Sequence, residues 1–267
     1  MKELTLQELK EIEFDILKMF DDFCKENNIH YFLAYGTLLG AVRYKKFIPW
    51  DDDVDLLIPR EDYNRMLMLF KDSEKYRLFA FEKDMEYLYP FAKLCDMTTR
   101  KDEFGYDNGV ELGVDIDLFP LDAWDDNLEK AKQEAKRIKK LMLYLGLTKV
   151  KRVDDDSFFK RITKSVLMVW CKMLGGKYFI RKIQKEACKE EQKGQAYVGA
   201  KSWCVYGAKG IIPAEAFADS VEVEFEGRMF PAPIDYDTYL TCLYGDYLPE
   251  PPKEKQKTHH SFKAYKL

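Results

Sequence analysis

Gly36-Thr-Leu-Leu-Gly-Ala-Val-Arg43, followed shortly by Ile48-Pro-Trp-Asp-Asp-Asp-Val-Asp-Leu-Leu-Ile-Pro59, is the stretch that decides the fold. Its second half alternates. Asp53 and Asp55 flank Val54, which puts both carboxylates on one face of a strand, about 7 Å apart and close enough to share a cation. Acids set among Val54, Leu56, Leu57 and Ile58 are expensive to bury unless they bind something. Asp51 and Asp52 precede the alternation and read as a solvated loop. In the first half, the apolar run Ile29 to Tyr35 reads as a strand, and Leu38 to Arg43 as a short helix. Gly36-Thr37 falls at the junction, where free backbone amides and the helix dipole can receive phosphate oxygens.

A second acidic pair lies further on, in Val114-Asp-Ile-Asp-Leu-Phe119. Asp115 and Asp117 share one face, while Val114, Ile116 and Leu118 supply the buried one. Hard oxygen ligands in this number suit Mg²⁺, with Mn²⁺ as the alternative, because Mg²⁺ combines a few carboxylates with substrate phosphates. Carboxylates, cation and glycine turn together describe metal-assisted phosphoryl transfer.

Working outward, Thr5-Leu-Gln-Glu8 is a capping box, and Leu6, Leu9, Ile12, Ile16, Phe20 and Phe23 form one helical stripe ended by Asn27-Asn28. Arg60 to Lys71 is predicted helical; Tyr76–Phe81, Tyr89–Leu94 and Gly113–Phe119 are predicted strands. Residues 127–145 and 157–193 are mostly helical, the latter broken at Gly175-Gly176, and Val221–Phe225 with Glu226-Gly227 predicts a hairpin. The expectation is an α/β (α+β) protein, a small mixed sheet flanked by helices with a helical extension. Its parts are a catalytic core over 1–126, a basic helical insertion over 127–195 and a C-terminal segment over 196–267 that completes the active site.

Composition supports a globular chain: of 267 residues, 46% are hydrophobic and 34% charged, which excludes disordered and collagenous classes. The six scattered cysteines form no Cys-x-x-Cys pair, and three histidines make a zinc site a poor reading, so reduced thiols in a cytoplasmic protein are expected. The acid-rich opening residues do not read as a signal peptide. A net charge of −4 does not suggest nucleic-acid binding. It hides an asymmetry: residues 128–200 carry 19 Lys and Arg against 8 Asp and Glu. Within them Phe158, Ile162, Val166, Val169, Trp170 and Met173 recur at helical spacing among Lys160, Arg161, Lys164 and Lys172. Two readings stand for that segment: an apolar core stripe with a solvated basic face, or a basic amphipathic helix lying peripherally on the anionic inner face of the cytoplasmic membrane.

The block from Gly36 to Arg43 with Ile48 to Asp55 resembles the signature of the LicD family, itself similar to nucleotidyltransferase-fold enzymes of the DNA polymerase beta type. Ile116-Asp-Leu-Phe-Pro-Leu-Asp122 resembles the family's second block and implies Asp117 as the third carboxylate, although Asp115 duplicates it on the strand face. Phe91 to Asp96, Phe225-Glu-Gly227, Tyr244-Gly-Asp-Tyr247 and His259-His260 resemble weaker blocks. Thr37 stands where polymerase-type relatives usually have Ser, and a hydroxyl is kept. The resemblance implies that Asp53, Asp55 and Asp117 are catalytic and hold the metal, and that the Gly36 and Thr37 amides cradle a donor diphosphate. It also implies phosphate contacts for Arg43 and Lys93, and substrate contacts for His259 and His260. The implied reaction moves phosphocholine, or a similar polyol phosphate, from CDP-choline or a related CDP-linked donor. The acceptor would be a hydroxyl of a lipid-linked cell-surface glycan (teichoic acid, capsule or lipopolysaccharide), and CMP is released. Trp50, Tyr35 and Tyr106 are candidates to stack on a base or enclose choline, with core packing as the plainer role.

Three other readings remain open. A nucleotidyltransferase of the same fold needs the same metals and attacks the other phosphorus. A metal-dependent glycosyltransferase uses Asp-x-Asp to hold a nucleotide sugar, but leaves the glycine turn without a role. A non-catalytic binding protein would not need all three carboxylates. Absence of Gly-x-x-x-x-Gly-Lys removes a P-loop enzyme.

Overall fold

The first layer follows from the N-terminal pattern. A short strand, β1 (Lys2–Glu3), leads into α1 (Leu6–Asn27). There the Glu8 amide donates to Thr5 Oγ1 at 3.2 Å and the Thr5 amide donates to the Glu8 carboxylate at 2.9 Å, a complete capping box. Leu9, Ile16, Leu17 and Phe20 form its buried face, and Asn28 ends it in the left-handed region at φ 52°. This is a computed structural model, and it describes residues 1–103, 109–150, 158–189, 196–258 and 262–267.

Next come β2 (Phe32–Leu33), α2 (Tyr35–Tyr44), β3 (Asp55–Pro59), α3 (Arg60–Leu69), β4 (Tyr76–Phe79), β5 (Ala92–Glu103) and β6 (Leu112–Ala123). Strand β6 is the centre. It runs parallel to β3, with Asp55 opposite Asp117, and antiparallel to β5, with Lys93 opposite Asp117. β2 lies on the outer edge of β3, and β4 pairs with the first part of β5. The buried bidentate pair Arg60–Asp122, at 2.7 and 2.8 Å, fastens the start of α3 to β6.

Helices α4 (Leu128–Lys149), α5 (Phe158–Leu174) and α6 (Gly176–Ala187) then gather around a second apolar cluster that includes Trp124, Ile138, Leu145, Phe179 and Ile183. The chain returns through β7 (Tyr197–Gly199), which pairs with the end of β6 and with β8 (Ile212–Pro213). β9 (Ser220–Phe225) and β10 (Arg228–Pro233) form a hairpin turned by Glu226 and Gly227, both at positive φ. α7 (Tyr236–Tyr244) follows, and β11 (Phe262–Lys266) closes the main sheet between β5 and β1. Helices thus flank a mixed sheet, as the α/β reading expects.

Two boundaries differ from expectation for one reason. The run Ile29–Tyr35 yields only the two-residue β2, and Asp53 precedes β3 rather than lying in it. At this edge the Asp55 amide donates to Thr37 Oγ1 at 2.9 Å instead of to a neighbouring strand, so the ladder stops and the chain turns into α2 at Tyr35. The apolar stripe of α5 also departs from a core role. Ile162, Val166, Val169, Trp170 and Met173 are exposed, while Cys171 is buried.

Candidate active site

The floor of the site is set by strand register. Asp55 and Asp117 are direct partners on β3 and β6, and the Asp117 amide donates to the Val54 carbonyl at 2.8 Å, at the point where the pairing begins. Beside them α2 begins without a side-chain cap. Its first residue, Tyr35, has φ 44°, unusual for an aromatic residue. The turn is held by stacking of Tyr35 on Tyr206 (5.3 Å between centroids, 7° between planes) and by the Tyr35 amide donating to the Tyr239 hydroxyl at 3.3 Å. Gly36 leaves room for the Asp51 carboxylate, which a Cβ at this position would displace. The hydroxyl of buried Thr37 accepts from the Asp55 amide and fixes that backbone directly, a contact that the hydroxyl of either Thr or Ser can make.

Lysines separate the two acids of β6. Lys93 Nζ lies 2.5 Å from both Asp115 Oδ2 and Asp117 Oδ1, and Lys101 Nζ lies 2.8 Å from Asp115 Oδ1. Burial alone would raise the Asp115 carboxyl, but Lys101 and Lys93 occupy both its oxygens and hold it well below the usual range. Asp117 shares one lysine. Burial, helped by the Asp115 charge and opposed by Lys93, pushes its carboxyl up to about 6. Burial, with the charges of Asp53, Asp117 and Asp51, also raises the Asp55 carboxyl well above its ordinary value. A donor set of hard oxygens whose charges repel one another in a buried place fits a divalent cation. The expected ligands Asp53, Asp55 and Asp117 stand along this edge, but among the described residues it is Asp51, Asp52 and Asp53 whose carboxylate oxygens come within 4.8 Å of one another, so the acidic loop would share in holding the ion. Asp117 is the more open of its pair, with 19% of its side chain exposed against 2% for Asp115.

Two cavities meet at Asp53, Asp117 and Trp203. The larger, about 860 Å³, runs past Asp55 to Gly36, Arg43, Trp50, Asp51 and Lys257. The smaller, about 490 Å³, is walled by Tyr89, Phe91, Phe262, Lys93, Lys101 and Asp115, and by Met142, Leu145, Gly146 and Lys149 of α4. Trp203, in a short turn between them, is anchored by buried Lys201, which donates to the Ala123 carbonyl at 2.8 Å and lies 3.3 Å from Glu134. Carboxylates at a junction of two cavities, the larger of them lined by Gly36 at the start of α2, can bring two substrates together over a cation.

Residues 28–139 match the family model described as LicD/FKTN/FKRP, nucleotidyltransferase domain. The whole chain is 30% identical, over 278 aligned positions, to the whole of the lipopolysaccharide cholinephosphotransferase LicD of Haemophilus influenzae. Shorter likenesses link 27% of the chain, at 37% identity, to 24% of an uncharacterized protein of Rickettsia typhi, and 18%, at 45%, to 18% of one from Rickettsia prowazekii. The chain belongs to the LicD family.

The matched LicD region contains Gly36, Thr37, Arg43, Asp53, Asp55, Lys93 and Asp117, and the structure brings all of them to or beside the two cavities. Arg43 stands on the rim of the larger one, where its guanidinium donates to the carbonyls of Tyr247 and Pro249. Lys93 lines the smaller one, within the ion-pair network. Tyr35 and Trp50 line the larger cavity; Tyr106, His259 and His260 lie outside the described residues. Asp52 is no solvated loop acid. It is buried, 5% exposed, and accepts from Thr258 Oγ1, which ties the acidic loop to the C-terminal segment. Lys101, Lys149 and Trp203 were not anticipated. Lys101 lies beyond a register shift in the β5–β6 pairing after Asp96, so alternation counted from Lys93 does not place it. Lys149 and Trp203 reach this LicD site only through tertiary packing.

Proposed function

We propose that this chain is a Mg²⁺-dependent phosphotransferase that moves phosphocholine, or a similar polyol phosphate, from a CDP-linked donor to a hydroxyl of a lipid-linked cell-surface glycan, releasing CMP on the cytoplasmic side of the membrane. The observation that carries this reading is the pairing of Asp55 with Asp117, beside Asp53, where the two cavities meet. The full-length likeness to a lipopolysaccharide cholinephosphotransferase supports the transferred group and the acceptor class.

In this reading the larger cavity takes the donor, with its diphosphate toward the amides of Gly36 and Thr37 and its base toward Trp50. The smaller cavity takes the acceptor, whose sugar ring meets the faces of Tyr89, Phe91 and Trp203. A bound Mg²⁺ supplies positive charge against the diphosphate oxygens as charge builds on the leaving CMP. Asp117, which faces both cavities, accepts the proton of the acceptor hydroxyl as its oxygen bonds to phosphorus and the bond to CMP breaks. Lys93 keeps the Asp117 carboxylate oriented and adds positive charge beside the transferred group. Arg43 is proposed at the donor end, and His259 and His260, outside the described residues, as contacts to donor or acceptor.

The test is a panel of CDP-linked donors, with and without a lipid-linked glycan, in Mg²⁺ or chelator. Acceptor- and Mg²⁺-dependent CMP release from CDP-choline supports the proposal. Pyrophosphate release from a nucleoside triphosphate would favour the nucleotidyltransferase reading, and turnover restricted to nucleotide sugars the glycosyltransferase one.

A further inference from the structure

We infer that the outer face of α5 is a docking surface for an anionic lipid bilayer, a property independent of the chemistry above. The helix lies on α4 and α6 with Cys171 and Leu167 turned inward, and Trp170 stands edge-on to Tyr144 of α4 at 5.7 Å. What faces outward is apolar. Val166 is 66% and Met173 82% exposed, with Ile162, Val169 and Trp170 exposed along the same stripe. A soluble surface rarely carries so many adjacent apolar side chains unless something covers them.

Charge decides what covers them. Residues 158–189 hold nine Lys and Arg against one Glu. Exposed Lys164 and Lys172 lie within the apolar helix, and exposed Arg181, Lys182 and Lys185 on the helix beside it. A second copy of this chain would set those bases against their own kind. Anionic headgroups satisfy the bases while the acyl boundary takes the apolar stripe, with the tryptophan at the interface. Among the described residues no helix is long and apolar enough to cross a membrane, so α5 would lie in the plane. Attraction of this kind fades beyond about 10 Å at 0.1 M salt. Because α4 carries α5 and also walls the smaller cavity, docking would hold that cavity close to the lipid surface.

The full chain should be sedimented with vesicles of phosphatidylcholine alone, or with phosphatidylglycerol added, at low and high salt. Expected is at least tenfold more binding to anionic than to neutral vesicles, falling at least fivefold at high salt. Val166→Asp with Met173→Asp should lower it at least tenfold while the circular dichroism spectrum and melting temperature hold. Lys164→Glu with Lys172→Glu, which leaves the apolar positions intact, should also weaken it severalfold. Equal recovery in the supernatant with both vesicles at low salt overturns the inference. So does undiminished binding by folded Val166→Asp/Met173→Asp, or a solution dimer that those substitutions dissolve while vesicle binding is absent.

Discussion

Asp115 and Asp117 are two residues apart on one strand face, and their surroundings assign them different work. Asp115 is spent on Lys93 and Lys101; Asp117 faces both cavities. Asp117→Asn, like Asp53→Asn or Asp55→Asn, should cut turnover by at least about a hundredfold in a folded protein, because the charge is lost and the shape kept. Asp115→Asn should stay within about tenfold of wild type per folded molecule, while its melting temperature falls as Lys101 loses its carboxylate. The reverse ranking in steady-state kinetics would move the third carboxylate to Asp115. A pH prediction follows from the same acids. The Asp117 carboxyl is raised from 3.8 to about 6, so without a divalent cation the unfolded chain releases that proton first. Stability from this group is full below about pH 4 and is lost as pH rises through about 6. Mg²⁺ should therefore raise the melting temperature at pH 7.5, and by progressively less below pH 6, as read by differential scanning fluorimetry. Asp117→Asn should abolish most of the Mg²⁺ shift and raise the metal-free melting temperature. A shift of equal size in that variant would show that the cation binds elsewhere.

At the scale of elements, the junction of β2, α2 and β3 is the structural key. Thr37 Oγ1 accepts from the Asp55 amide, so the hydroxyl holds the start of β3 in place. Thr37→Val removes that acceptor at nearly constant shape and leaves a buried amide unpaired, a loss of about 1–3 kcal/mol. The melting temperature should drop by roughly 2–10 °C and activity with it, while Thr37→Ser should remain near wild type. If Val and Ser melt and turn over alike, the bond is not what positions Asp55. This junction also marks how far the sequence could be read. Alternation in residues 53–58 and 114–119 was enough to predict two strands with their acids to one side, because apolar residues at every second position are the mark of a strand with one covered face, but it did not show that the two strands pair in parallel. It could not show that a side chain would end the β3 ladder, which shortened two expected strands. Nor could it show that Asp52 is buried against Thr258, or that Lys149 and Trp203 reach the site, since those contacts join residues far apart in sequence. The stripe on α5 was plain, but only packing revealed which way it faces.

Across the whole molecule the acidic and basic parts of the chain share the smaller cavity. The acidic sheet brings the carboxylates, and α4 of the basic extension builds a wall of the smaller cavity. Phosphoryl transfer between two substrates needs such a two-sided arrangement, one side for the leaving nucleotide and one for the attacking hydroxyl. The most direct measurement is the mass of the acceptor glycan, together with the cytidine product, after incubation with CDP-choline and Mg²⁺. The expected result is a glycan heavier by one phosphocholine with equimolar CMP, both lost with Asp117→Asn. A glycan carrying CMP, with phosphocholine released, would place the attack on the other phosphorus and contradict the proposed reaction.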